Sequence, residues 1–257
     1  MIVTGALGIL GRSHCWALAR EGASLIISDF NAQECDAFAS EIESATKIKT
    51  MSYGVDLASE SSILEWANNI ILNSKSVDVL VNNAAAKPPG FFEKLEDYSV
   101  ETWRSVMAVN LDAAFLTIRE IGKFMLKQGY GNIINVSSIY GVVGPDQRIY
   151  EGAVYNEVGG AINTPLSYSA SKGALVSMTK HIATSWGHKN IRCNCLTPGG
   201  VSSGQNTVFN RNYSNRVPLN RMASAEDISC ALVFLCSNES AYINGHNLIV
   251  DGGLTAW

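Results

Sequence analysis

What this chain lacks narrows its possible work before any motif is read. No stretch of 18 apolar residues occurs, so no segment reads as a membrane-spanning helix. No charged leader with an apolar core precedes the first strand-like run, so a secretory signal is not expected. Basic runs are missing and the net charge is −4, which argues against nucleic acid or an anionic membrane surface as partner. The six cysteines (Cys15, Cys35, Cys193, Cys195, Cys230 and Cys236) have no zinc-like spacing, so no metal site is expected. A buried structural role for all six, in a reducing cytoplasm, is the expectation, with Cys193 and Cys195 on one side of a strand. Repeats, linkers and low-complexity tracts are also missing.

What is present is enough for one large core. A chain of 257 residues that is 47% hydrophobic suits a single α/β domain over residues 1–257. Strand-like runs at 1–4, 24–28, 48–54, 77–82, 132–137, 191–196 and 247–250 alternate with helix-like runs. The helices are expected at 11–21, 31–44, 59–74, 99–128, 168–188 and 225–237. Such alternation implies a seven-stranded, doubly wound parallel sheet covered by helices on both faces, with ligands beyond the carboxyl ends of the strands. Two stretches break the pattern, at about 139–167 and 198–220. Loops of that length beside strand ends are read as a pocket wall and a lid.

The first strand runs into Thr4-Gly5-Ala6-Leu7-Gly8-Ile9-Leu10-Gly11. Glycines at a strand-to-helix turn allow a tight bend and a close approach to a pyrophosphate, which the helix N-terminus then attracts. The second strand ends in Asp29, placed to accept from adenosine ribose hydroxyls and to repel the extra phosphate of NADP. NAD is therefore the expected cofactor, although Arg12 offers a possible phosphate contact. Asp56-Leu57 closes the third strand, Asn82-Asn83-Ala84-Ala85 the fourth, and Ser137-Ser138 the fifth. Asn110 lies inside the long helix, where it is read as holding a water or kinking the helix.

Tyr168 and Lys172 stand four residues apart and so share a helix face. A neighbouring ammonium favours the phenolate, so the tyrosine is expected to titrate below its ordinary range. That is the equipment for general acid–base work on an alcohol or carbonyl.

Together these motifs resemble the short-chain dehydrogenase/reductase family over essentially the whole chain, down to the Pro198-Gly199 turn and the closing Asp251-Gly252-Gly253. The resemblance implies a Rossmann fold and hydride transfer between NAD and a secondary alcohol or ketone. It assigns Tyr168 as acid/base, Ser138 to the substrate oxygen, Lys172 to the nicotinamide ribose and Asn110 to a relay water. Thr4, Gly5, Gly8, Gly11, Asp29, Asp56, Leu57 and Asn82 would line the cofactor, with Pro198 and Gly199 beside the nicotinamide. It also implies a homotetramer or dimer built through the long helices.

Three features depart from that pattern. The glycine spacing is nearer the extended, sugar-nucleotide branch, while length, Asn-Asn-Ala-Ala and C-terminal pattern are classical. The first strand is short, so Met1 is read as a truncated or misassigned start. Ser138 and Tyr168 are thirty residues apart, and Pro145–Gly152 resembles an insertion of bacterial members associated with flagellin and nonulosonic-sugar modification. That insertion points to a polar, sugar-like substrate. The alternatives are a nucleotide-sugar dehydratase or epimerase, a 3-ketoacyl reductase and a non-catalytic NAD-sensing protein.

Overall fold

The computed structural model describes residues 1–155 and 160–257. Seven strands form one parallel sheet: β1 (Ile2–Thr4), β2 (Leu25–Asp29), β3 (Thr50–Gly54), β4 (Val79–Asn82), β5 (Gly131–Val136), β8 (Ile191–Pro198) and β9 (Asn247–Val250). Their order is β3-β2-β1-β4-β5-β8-β9, so the chain reverses its direction of growth between β1 and β4. That reversal opens a crevice at the carboxyl ends, where open α/β sheets bind ligands. β6 (Val154–Tyr155) and β7 (Gly160–Ala161) form a separate antiparallel pair inside the 139–167 stretch.

Helices α1 (Ile9–Arg20), α2 (Ala32–Thr46) and α8 (Ala225–Cys236) bury one face of the sheet. The other face is covered by α3 (Glu60–Asn73), α5 (Ala113–Gln128) and α6 (Leu166–Trp186), with α4 (Val100–Met107) leading into α5. Strand β1 shows how alternation feeds both layers: Ile2 packs into the second cluster and Val3 into the first, both fully buried. Helix starts follow local chemistry. Asn31 and Ser59 accept from the amides of Glu34 and Ser62, and Ser224 with Asp227 closes a capping box on α8.

The expected helix over 99–128 is not continuous. A π-turn at Ala108–Asp112 separates α4 from α5 and carries Asn110. Asn110 is buried; its Oδ1 accepts from the Ala86 amide at 2.9 Å, tying the helix to the loop after β4. The 198–220 stretch is likewise more ordered than a polar loop. It contains α7 (Thr207–Ser214), capped by Asn206, which accepts from the Phe209 amide. Phe209 and Tyr213 of α7 pack with Ile139, Ile149 and Ala153 into a small third core. The two irregular stretches thus share one apolar cluster. Cys230 is exposed, against the expectation of six buried thiols, because it lies on the outer side of α8.

Candidate active site

The glycine turn is built by contacts that larger residues would prevent. Gly5 has φ +63°, and a Cβ there would stand 2.7 Å from Ala84 Cα. A Cβ on Gly11 would stand 2.0 Å from the Gly5 carbonyl oxygen, so α1 begins this close to β1 only because position 11 is glycine. Gly8 is different. Its Cβ would meet nothing nearer than 3.4 Å, and it begins α1 without a side-chain cap. The space over the helix N-terminus therefore fits an anion such as a pyrophosphate.

Asp29 reaches this turn, accepting from the Leu7 amide at 2.9 Å and from the Phe30 amide at 2.7 Å. Arg12 is turned to its own surroundings, donating to Leu7 O and lying 4.6 Å from the centre of the Phe38 ring. Asp56 is exposed, and its carboxylate accepts from the Ala58 amide. Leu57 is buried with Thr4, Asn82 and Asn110 around a small recess.

Asn82 is a structural tie by geometry. Its Oδ1 accepts from Thr117, its Nδ2 donates to Asn135, and Asn135 donates on to Thr179. This buried chain joins β4 and β5 to α5 and α6. The neighbouring Asn83 does what sequence reasoning missed. Its Nδ2 donates to both Thr4 O and Gly5 O at 3.0 Å, clamping the glycine turn against β4. The doubled asparagine was the available signal, since two adjacent strand-end residues point to opposite sides.

Ser138, Tyr168 and Lys172 come together at the end of β5. The turn Ile139–Gly141 lies on α6, and Ser137 Oγ donates to Lys172 O at 2.6 Å. Tyr168 and Ser138 line the same cavity, close enough for the Ser138 hydroxyl to act on the phenol. Lys172 is 3% exposed, with Nζ donating to Val136 O at 2.7 Å and standing 5.7 Å from the Tyr168 ring centre. Asn110 joins through Ser171: Asn110 Nδ2 donates to Ser171 Oγ at 3.2 Å, and Ser171 Oγ donates to Tyr168 O at 2.9 Å. Ser171, inside the Tyr-x-x-x-Lys interval, is the second residue the sequence reading passed over.

The expected fall in the Tyr168 pKa is not what this arrangement produces. Burial pushes the phenol up, with the nearby Ser138 hydroxyl acting against it. Lys172 is itself brought down to about 8 by burial, and its ammonium is engaged by a carbonyl rather than by the phenol oxygen. Desolvation outweighs the lysine here.

Pro198 and Gly199 end β8 and border a cavity of about 330 Å³ that also holds Ser138 and Tyr168. Its outer walls come from both irregular stretches, through Tyr150 and Thr164 of the first and Phe209 of the second. A dinucleotide-type crevice opening onto a Ser–Tyr–Lys cluster defines a nucleotide-binding α/β protein equipped for proton transfer at an alcohol or carbonyl.

Comparison with known proteins identifies the family. A family model described as enoyl-(acyl carrier protein) reductase matches residues 5–255, and the chain belongs to the short-chain dehydrogenase/reductase family. It is 33% identical to 2-dehydro-3-deoxy-D-gluconate 5-dehydrogenase of Bacillus subtilis, over 98% of this chain and 92% of that one. It is 30% identical to a 3-oxoacyl-(acyl-carrier-protein) reductase of Aquifex aeolicus, over 98% and 96%. Among solved structures, a gluconate 5-dehydrogenase from Burkholderia cenocepacia, in complex with NADP and tartrate, superposes with a TM-score of 0.87. It is 25% identical, over 100% of this chain and 94% of that one. A short-chain dehydrogenase from Leptospira borgpetersenii with bound NAD+ gives 0.85 at 29% identity, over 99% and 91%. These neighbours support a nicotinamide dinucleotide as cofactor. The relatives named here give no support to the resemblance to flagellin and nonulosonic-sugar enzymes.

Proposed function

We propose that this protein is an NAD-dependent dehydrogenase/reductase that interconverts a secondary alcohol and a ketone on a polar, sugar-like substrate. The observation that carries the reading is that Tyr168 and Ser138 line one cavity, with Lys172 buried one helical turn from Tyr168. The nicotinamide, when bound, accepts or returns the hydride. Tyr168 takes the hydroxyl proton during oxidation as the phenolate, having first given up its own proton, and returns a proton during reduction as the phenol, while Ser138 holds the oxygen as its charge changes. Lys172 holds the nicotinamide ribose, and Asn110 steadies a relay water through the Ser171 contact.

Thr4, Gly5, Gly8, Gly11, Asp29, Asp56 and Leu57 form the adenosine and pyrophosphate side of the cofactor site, with Pro198 and Gly199 at the nicotinamide. Asn82 acts there through the framework it ties. NAD rather than NADP is proposed on Asp29, whose carboxylate beside the glycine turn would repel a ribose phosphate. The same charge, with a net −4, speaks against a ketoacyl reductase using NADPH and a basic docking patch. The stretches 139–167 and 198–220 form the substrate wall and lid. The subunits pair as a tetramer or dimer through the long helices, and the six unpaired cysteines suit a reducing cytoplasm.

Tyr168→Phe tests the assignment. It should lower kcat by about 10³-fold, within the usual range for losing an acid–base group, while NAD affinity changes little. Turnover retained within tenfold would remove Tyr168 from the chemistry.

A further inference from the structure

The wall facing Ser138 and Tyr168 is not a plain apolar surface. Three hydroxyls meet in it: Tyr150 OH donates to Tyr140 OH at 3.4 Å and is also hydrogen-bonded to Thr164 Oγ1. All three residues line the same cavity as Ser138 and Tyr168. Beside them Asn163 donates from Nδ2 to Phe92 O at 2.6 Å, which leaves its Oδ1 buried without a partner among the described residues. Asn163 lines the cavity as well.

A count of protons says what this wall can recognise. Three hydroxyls carry three protons, and their two mutual bonds use two. One hydroxyl donor remains, that of Tyr140, together with the second N–H of Asn163, several lone pairs and the spare acceptor of Asn163. A carboxylate can only accept, so it would meet mostly lone pairs. An alkyl group would leave the spare hydroxyl proton and the Asn163 Oδ1 unmatched. A hydroxyl both donates and accepts, and it suits this surface.

From this we infer that Tyr150, Thr164 and Asn163 form a second hydroxyl-recognition subsite, which reads a hydroxyl of the substrate other than the one that reacts. The inference rests on the dehydrogenase reading above and narrows its substrate class to polyhydroxylated compounds. The subsite is held in register from outside. The Tyr150 ring stacks on Phe209 of α7, with centres 5.5 Å apart and planes at 25°, and Phe209 in turn packs on Tyr213. Burial keeps the Tyr150 phenol protonated, so it stays a neutral donor and acceptor at working pH.

Tyr150→Phe removes the hydroxyl while keeping the stacked ring, and Thr164→Val removes Oγ1 at nearly constant volume. D-Gluconate and threitol serve as polyol probes, and cyclohexanol as the monohydroxy reference. Calorimetric titration of the NADH-loaded protein should show a polyol binding at least tenfold more weakly to either variant than to the wild type. In NAD-reduction assays the ratio of kcat/KM for that polyol to kcat/KM for cyclohexanol should fall at least tenfold, through KM more than kcat. Undiminished polyol affinity in both variants, no polyol binding by the wild type, or equal losses on polyol and cyclohexanol would each overturn the subsite. Polyol binding that responds to the variants without any NADH formation would instead uphold the subsite and sink the dehydrogenase reading.

Discussion

His14 and Asp29 show how differently two buried or half-buried polar residues act on one fold. His14 is fully buried between α1 and α8; its Nδ1 lies 2.8 Å from Ser229 Oγ, which donates on to Ser13. Its Nε2 has no partner among the described residues, and burial pulls its pKa down to about 4. An unfolded chain protonates this histidine near pH 6.5, so between those values the unfolded state binds more protons than the native one. Stability should therefore fall as the pH drops through that window, by about 3 kcal/mol in full. His14→Leu removes the proton site, so its urea midpoint should shift less between neutral and mildly acidic buffer than that of the wild type. Equal shifts would show that other groups set the acid limit. Asp29 is proposed to bear on selectivity instead. Asp29→Ala frees the Leu7 amide as well as removing the charge, so affinity for both cofactors should drop. The informative quantity is the ratio of NAD to NADP affinities in fluorescence titration, which should fall by about tenfold or more, equivalent to 1.4 kcal/mol. A wild type that already prefers NADP would refute the cofactor assignment. Neither effect depends on composition. Asp29 was legible because a carboxylate at a strand end has a fixed geometric meaning, whereas the burial of His14 depends on how two distant helices meet.

At the scale of elements, the regular α/β frame was readable because most strands are short apolar runs and several helices have a capping residue before them. Asn31, Ser59 and Ser224 all perform as caps. Interruptions were harder. A π-turn inserts one residue per turn without a proline or glycine to announce it, so 99–128 reads as one helix although Ala108–Asp112 breaks its register. Helix α7 was hidden for another reason. Its sequence Thr207–Ser214 is polar apart from a few residues, and its fold depends on Phe209 and Tyr213 meeting side chains from 139–153. That dependence gives a prediction. Phe209 is 6% exposed, and Phe→Ala in a full core costs roughly 3–5 kcal/mol. In this small satellite core the loss should fall on the wall and lid rather than on the sheet. Phe209→Ala should raise proteolytic cleavage within 139–167 and 198–220 several-fold, move the global thermal midpoint little, and raise KM more than it lowers kcat. Unchanged cleavage in those stretches would show that the two loops hold their shape independently.

For the whole molecule, the outer side of a long helix carries an exposed aromatic that the inner cores do not use. Helix α5 turns Ile118, Ile121 and Met125 inward, yet Phe115 stands 51% exposed on its outer side. Arg119 lies 5.6 Å from that ring and is held in place by Glu60 and Glu120, so the aromatic face is framed by ordered charge rather than covered by it. Scattered exposed aromatics are common and prove nothing alone. The proposed pairing of subunits through the long helices gives this one a function, because α5 would then bury Phe115 against a second copy. Light scattering at micromolar concentration should give a mass two or four times 27.7 kDa. Phe115→Asp should shift that mass towards 27.7 kDa without unfolding the chain, since the side chain makes no contribution to the inner cores. The substitution places a carboxylate where association would remove it from water, and the nearest cation, Arg119, is already engaged by Glu60 and Glu120. The active cavity lies at the carboxyl ends of the strands, whereas Phe115 points away from the sheet on α5. Residual turnover in a dissociated Phe115→Asp protein would therefore separate assembly from chemistry, while a wild type that is already monomeric would leave the long helices without an assembly role.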